Sequence, residues 1–170
     1  GWKVLAHQNA NKRRALSGED LKAAQSAADE LMHAHWSVAD GVLVYDGKGK
    51  SLCSAKDFGD FEMYIDWKIP AGADSGIYLR GTPQIQIWDP WKPQSDRSGR
   101  TPKNAEEWVQ SYRLGHKLGS GGLWNNRRAK NTPLTVADNP PGEWNTFLIR
   151  MVGDKVSIWL NGKLIVDRTE

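Results

Sequence analysis

A single cysteine, Cys53, stands among the 170 residues. One cysteine excludes an internal disulfide and a thiolate metal cage. In a strand-like stretch with no activating neighbour in sequence, it reads as a small buried hydrophobe rather than a nucleophile. Long apolar runs are also missing: none approaches the roughly 18 residues that a membrane-spanning helix needs. Excess charge is scarce, since 23 Lys and Arg against 20 Asp and Glu leave only +3. Apart from Lys12-Arg13-Arg14 and Arg127-Arg128 the cations are scattered, whereas a nucleic-acid surface calls for a denser basic stripe interleaved with aromatics. Arg127-Arg128 reads as a solvated loop. The partners expected are therefore neither nucleic acid nor a membrane interior.

What is present is a globular composition, 39% hydrophobic and 25% charged, on a chain long enough for a core of its own. Nine tryptophans are a high count. Sandwich cores use large aromatics, but an indole face with one N–H donor also suits a pyranose ring, apolar on its C–H face and polar at its rim. The chain opens on Gly1-Trp2-Lys3 and closes at Glu170 just after a strand pattern; both ends look cut, so the missing leader says nothing about export.

One strong helix is expected, over 17–33. Ser17 suits an N-cap, Glu19 and Asp20 sit where the dipole favours negative charge, and Leu21, Ala24, Ala28 and Leu31 recur at helical spacing. His33 and His35 follow; two surface histidines are the plainer reading beside a metal pair. From Trp36 the period becomes two. Val42–Tyr45 reads as a strand and residues 46–49 as its turn. Phe61, Met63, Ile65, Trp67 and Ile69 alternate with Glu62, Tyr64, Asp66 and Lys68, a half-buried antiparallel strand. In Ser75–Arg80, Ile77 and Leu79 oppose Gly76, Tyr78 and Arg80; in Gln84–Asp89, Ile85 and Ile87 oppose Gln84, Gln86 and Trp88. A solvated face would more often carry Lys, Glu and Thr than Tyr, Arg, two Gln and Trp. That gathering is the strongest functional signal in the sequence.

Residues 90–135 are long, polar and rich in Pro and Gly, as functional loops are. Trp91, Trp108 and Trp124 argue against disorder, and 104–110 suits a short helix. Gly119-Ser120-Gly121-Gly122 leads into Leu123-Trp124-Asn125-Asn126, a tight turn presenting a Trp and two amides; it lacks the Lys-Ser/Thr ending of a phosphate loop. Strands at 144–152 and 156–160, then Asn161-Gly162 as a hairpin turn into 163–166, complete an all-β pattern of sandwich or barrel type. The expected core is Phe61, Met63, Ile65, Ile77, Leu79, Ile85, Ile87, Ile149, Ile158 and Leu160.

Phe58-Gly59-Asp60-Phe61-Glu62, Asp74-Ser75-Gly76-Ile77-Tyr78-Leu79-Arg80-Gly81, Gln84-Ile85-Gln86-Ile87-Trp88-Asp89, Gly121-Gly122-Leu123-Trp124-Asn125-Asn126, Gly142-Glu143-Trp144-Asn145-Thr146 and Leu160-Asn161-Gly162 together resemble, in that order, the 3-keto-disaccharide hydrolase family. The resemblance covers most of residues 36–167. It implies a concanavalin-like jelly roll of two antiparallel sheets, a sugar on the concave face, and export to a bacterial periplasm or cell surface. Residues 3–33, with the helical insertion, lie outside it, and the family pattern continues beyond Asp167. One domain over 1–170, incomplete at its C-terminus, is the expectation, with an unpaired sheet edge where the absent strands would pack.

The resemblance implies action on 3-keto-glycosides by hydrolysis or elimination. A standard glycosidase needs two flanking carboxyl groups. Jelly-roll glucanases space them Glu-x-Asp-x-x-Glu, where this chain has Gln84, Gln86 and Asp89; many family members carry Glu at the position of Gln84. A C3 ketone acidifies the C2 proton, so one base, an enolate-stabilising group and an acid suffice. Asp89 and His116 are the candidate base and acid. Arg80, Gln86 and Asn125 are candidate oxyanion or hydroxyl partners, with Arg80 as anchor, and Tyr78, Gln84, Trp88 and Trp124 complete the sugar site. A divalent metal on Asp74, Asp89 and Asn125 is left open. The rival reading is a noncatalytic carbohydrate-binding module with the same residues, and a third is a structural sandwich. Oligomeric state is not legible.

Overall fold

The computed structural model describes residues 1–7, 10–90, 119–126 and 132–169, which divide into two compact units, Gly1–Asp57 and Phe58–Glu170. The first runs β1 (Trp2–Val4), α1 (Ala10–Ala15), α2 (Gly18–His35), β2 (Trp36–Ala39), β3 (Val42–Tyr45) and β4 (Leu52–Ser54). Ser17 precedes α2 in extended conformation, and Glu19 and Asp20 fill its first turn. The helix runs two residues past the expected end and stops where Trp36 turns to extended backbone. Its expected apolar stripe is shallow: Ala28 is buried, while Leu21 and Leu31 stay exposed. Gln25 Nε2 ties the helix to β1 by donating to the Val4 carbonyl at 2.9 Å. α1 was not expected from the pattern. β1 pairs with β4 and β2 with β3, both antiparallel. Cys53, on β4, is partly buried, and burial pushes its thiol above the usual range, which suits an inert side chain. His35 Nδ1 lies 2.9 Å from Asp46 Oδ2, a contact that holds the Asp46 carboxyl below its ordinary value.

The second unit contains β5 (Phe61–Trp67), β6 (Asp74–Tyr78), β7 (Gln84–Trp88), β8 (Leu123–Trp124), β9 (Asn145–Val152), β10 (Lys155–Leu160) and β11 (Lys163–Thr169). They form a four-stranded sheet, ordered β11-β10-β9-β5, and a three-stranded sheet, β6-β7-β8, with every pairing antiparallel. Alternation decides which residues face inward. Leu79, Ile85, Ile87 and Leu123 share one buried cluster with Phe147, Ile149, Ile158 and Leu160. Four expected core residues, Phe61, Met63, Ile65 and Ile77, are only partly buried against it. The first three lie on β5 and the last on β6, both outermost in their sheets, where a neighbour covers one side only. The described residues thus form several antiparallel sheets with an N-terminal helical region, an arrangement consistent with the β-sandwich superfamily. The segment 104–110 lies outside the described residues, and among the described residues no helix is long and apolar enough to cross a membrane.

The short β8 is reinforced by the backbone before it. Gly121 N–H donates to the Gln86 carbonyl at 2.7 Å, and Gln86 N–H to the Gly122 carbonyl at 2.9 Å. Ser120 Oγ accepts from Trp88 N–H and donates to the Trp88 carbonyl, both at 3.2 Å. The Ser120 N–H points at the Asp138 carboxylate, 3.2 Å from each oxygen. Burial pushes the Asp138 carboxyl above its usual value, and the Ser120 donors offset part of that. At Gly121 the backbone has φ +97°, and a Cβ would stand 2.0 Å from Ile165 Cδ1.

Two outcomes follow. Gly121→Ala should cost about 2–5 kcal/mol, from strain at positive φ plus overpacking; an unchanged denaturation midpoint would reject this packing. For Asp138 the folded pKa is raised, so the native state holds the proton more tightly than the unfolded chain. Its contribution is fully present below the unfolded carboxylate value, about 3.9, and is lost as pH rises through the folded one. Asp138→Asn should therefore gain stability relative to wild type between pH 4 and pH 7, read from urea midpoints at both. An equal difference at the two pH values would contradict it.

Candidate functional site on the three-stranded sheet

The register places Asp74 opposite Trp88, Gly76 opposite Gln86, Tyr78 opposite Gln84, and Gln84 opposite Trp124. Directly paired residues point to the same side of a sheet. Asp74, Gly76, Tyr78, Gln84, Gln86, Trp88 and Trp124 therefore share the face turned away from Ile77, Ile85, Ile87 and Leu123. The absence of a side chain at Gly76 makes room: Gln84 lies across it, and a Cβ there would meet Gln84 Nε2 at 2.1 Å. Gln86 is 5% exposed; its Nε2 donates to Asp74 Oδ1 at 2.5 Å and to the Ile87 carbonyl at 3.3 Å. Trp88 and Trp124 meet edge to face with centroids 5.8 Å apart, a favoured aromatic geometry. Trp88 Nε1 donates to the Gly119 carbonyl at 3.2 Å. Asn125, at φ +61°, a conformation Asn tolerates, swings its amide to the exposed rim, where Nδ2 donates to the Tyr78 hydroxyl at 3.4 Å.

The face thus has an amide–carboxylate floor, an indole corner, and a phenol–amide rim. Such a surface offers stacking and in-plane hydrogen bonds to a ligand with apolar faces and a hydroxylated edge. Asp74 entered the sequence reading only as a metal ligand; its pairing with Gln86 was missed. The signal was available in its parity with Gly76 and Tyr78.

Two of the acid–base or anchor candidates sit elsewhere. Arg80 is not on the strand face, because β6 ends at Tyr78 and the alternation cannot be carried past it. Arg80 has φ +48°, in a turn closed by Thr82 N–H on the Leu79 carbonyl at 2.9 Å. Its exposed guanidinium donates to the Gly153 carbonyl between β9 and β10. Asp89 is 3% exposed; its Oδ2 accepts from Gly72 N–H at 2.7 Å while its own N–H donates to the Ala73 carbonyl at 3.2 Å. It fastens the turn after β5 to the end of β7. His116 lies outside the described residues. Among the described residues, no group of three or more His, Cys, Asp or Glu side chains is placed to hold a metal ion.

Comparison with known proteins gives this surface its context. A profile of the 3-keto-alpha-glucoside-1,2-lyase-like domain matches residues 1–170, so residues 3–33, expected to lie outside the resemblance, fall within the match. No curated protein matches significantly. Two crystal structures from Parabacteroides distasonis ATCC 8503, each described as a candidate glycosyl hydrolase, are similar. One shares 27% identity at a TM-score of 0.57, over 79% of this chain and 61% of its own. The other shares 22% identity at a TM-score of 0.56, over 99% of this chain and 72% of its own, a likeness of fold. The chain therefore spans less than two thirds of the first structure's length. It belongs to the 3-keto-alpha-glucoside-1,2-lyase-like domain family.

Proposed function

We propose that the domain acts on 3-keto-glycosides, by elimination or hydrolysis, at the outward face of the β6-β7-β8 sheet, within a two-sheet jelly roll. The observation that carries this reading is the composition of that face. It combines aromatic stacking surface with amides and one hydrogen-bonded carboxylate, and among the described residues it carries no acidic pair of the kind an ordinary glycosidase uses. Removal of the C2 proton leaves its electron pair as an enolate on the C3 carbonyl oxygen. The pair then returns to expel the C1 substituent, which departs with a proton, and water adds to the unsaturated ketone.

In this reading Asp74 is the base, since it is the carboxylate on this face, and its pairing with Gln86 orients it. Gln84 and Asn125 are donors for the enolate oxygen or a hydroxyl, and Trp88 and Trp124 seat the ring. Asp89 serves the scaffold. Arg80 has no part at the face, where the sequence pattern had made it the anchor. Export to a periplasm or cell surface is a further proposal, supported by the family resemblance alone. The second reading, a noncatalytic carbohydrate-binding module, draws on the amides Gln84 and Gln86 standing at two of the three acidic positions of jelly-roll glucanases.

Incubation with 3-keto-glucosides and with the unoxidised glucosides separates the two. Aglycone release from the keto form alone is expected; binding of either form without release would establish the module. Asp74→Asn should lower kcat by about 10²–10⁴ while sugar binding survives. Arg80→Ala should leave turnover intact and cost stability within about 1 kcal/mol, as an exposed hydrogen bond does. Loss of turnover in a folded Arg80→Ala protein would restore the anchor role and count against this assignment.

A further inference from the structure

The opposite sheet carries a second ordered surface. Register aligns Tyr64 with Leu148, Leu148 with Trp159, and Trp159 with Leu164, one residue from each of the four strands. A bulge between Ile158 and Trp159 makes the last pairing: it lets both Ile165 and Val166 be fully buried while Leu164 remains on the side of Trp159. Tyr64 is 69% and Leu164 40% exposed; Leu148 and Trp159 are half-buried. At a strand spacing of about 4.8 Å the row runs about 14 Å across the sheet.

Hydrogen-bonding groups border it on both sides. On one, Arg150 Nε and Nη2 donate to Glu62 Oε2 at 2.9 and 2.6 Å, and Ser157 Oγ donates to Asp167 Oδ1 at 2.7 Å. On the other, Thr146 Oγ1 donates to Asp66 Oδ1 at 2.5 Å. Apart from the half-buried Ser157 these groups are exposed, and their carboxylates keep lone pairs free for further donors.

We propose that this stripe is a second carbohydrate surface, which holds a linear neutral glycan laid across the strands. The C–H faces of its rings rest on Tyr64 and Trp159, and its hydroxyls reach the bordering carboxylates. The strip is a single residue wide and bounded by an ion pair and hydroxyl-bonded carboxylates. A second copy of the chain would need roughly 800 Å² per partner around a charge-depleted centre, and two of the four stripe residues are already half-buried. A sugar chain is narrow, apolar on its faces and polar along both edges, which is the pattern seen here. The inference rests on the carbohydrate-active nature of the family but needs no catalysis, and it involves no residue of the β6-β7-β8 face.

The test is affinity electrophoresis of the whole chain through gels containing a linear neutral β-glucan or α-glucan, beside a blank gel. Retardation by one of the glucans is expected. Tyr64→Ala, which removes an exposed side chain, should weaken it about tenfold, while Val38→Ala, an exposed change in the first unit, leaves it unchanged. Trp159→Ala should act in the same direction, with folding checked by circular dichroism. Equal retardation of wild type and Tyr64→Ala would overturn the proposal, as would retardation by neither glucan. So would a concentration-dependent dimer in sedimentation that Tyr64→Ala dissolves. If wild type shows no turnover of a 3-keto-glucoside yet keeps Tyr64-dependent retardation, the enzymatic reading fails and this one stands.

Discussion

The seam between β7 and residues 119–124 supports both the core and the candidate site. Two backbone hydrogen bonds join Gly121 and Gly122 to Gln86, and Ser120 brackets Trp88 from N–H to carbonyl. Once that register is set, alternation does the rest: Leu123 goes inward against Ile85, and Trp124 goes outward beside Gln84. A slip of one residue would exchange the two faces, leaving an indole in the core and a leucine on the outward face. The two glycines permit the close approach, and at Gly121 the space is bounded by Ile165 from the other sheet. The site's aromatic corner is therefore fixed by packing on the far side of the strand that bears it.

The polar elements of the seam are arranged so that a buried acid is tolerable. The Asp138 carboxyl is costly to ionise where it lies, yet it meets the Ser120 N–H, one of the backbone donors of a turn that has to be satisfied. A neutral acceptor would serve that donor with less desolvation. Asp89 solves a similar problem at the turn after β5, accepting from Gly72 N–H. Both acidic residues are used as backbone clasps, which among the described residues leaves Asp74 as the carboxylate on the three-stranded sheet's outward face.

Much of this was legible in the sequence, and the limits are physical. Period-two alternation located β5, β7, β9 and β10, and it sorted Tyr78, Gln84, Gln86 and Trp88 onto one face, because side-chain direction in a strand is a local property. The Gly-rich run before Trp124 announced a close backbone approach without naming its partner. What alternation could not deliver was the strand end. Arg80 was assigned by parity, but the chain turns after Tyr78, and a residue in left-handed backbone no longer follows the pleat. Asp89 was judged by residue type and spacing from Gln84, whereas its role depends on Gly72, 17 residues earlier. The edge positions Phe61, Met63, Ile65 and Ile77 had the right parity and less burial than expected, since burial depends on neighbours that a single strand's pattern cannot count.

The amides at positions 84 and 86 link this architecture to its chemistry. A carboxylate at position 86, 5% exposed and 2.5 Å from Asp74 Oδ1 in the place of the amide nitrogen, would set two like charges side by side in a poorly hydrated place. One of the pair would then take up a proton. With Gln86 the contact is instead a donated hydrogen bond, which holds the Asp74 carboxylate in one orientation. On the proposed reading this exchange sets aside the paired-acid chemistry of a glycosidase and leaves a single oriented base. That is enough only for a substrate whose own carbonyl supplies the acidity.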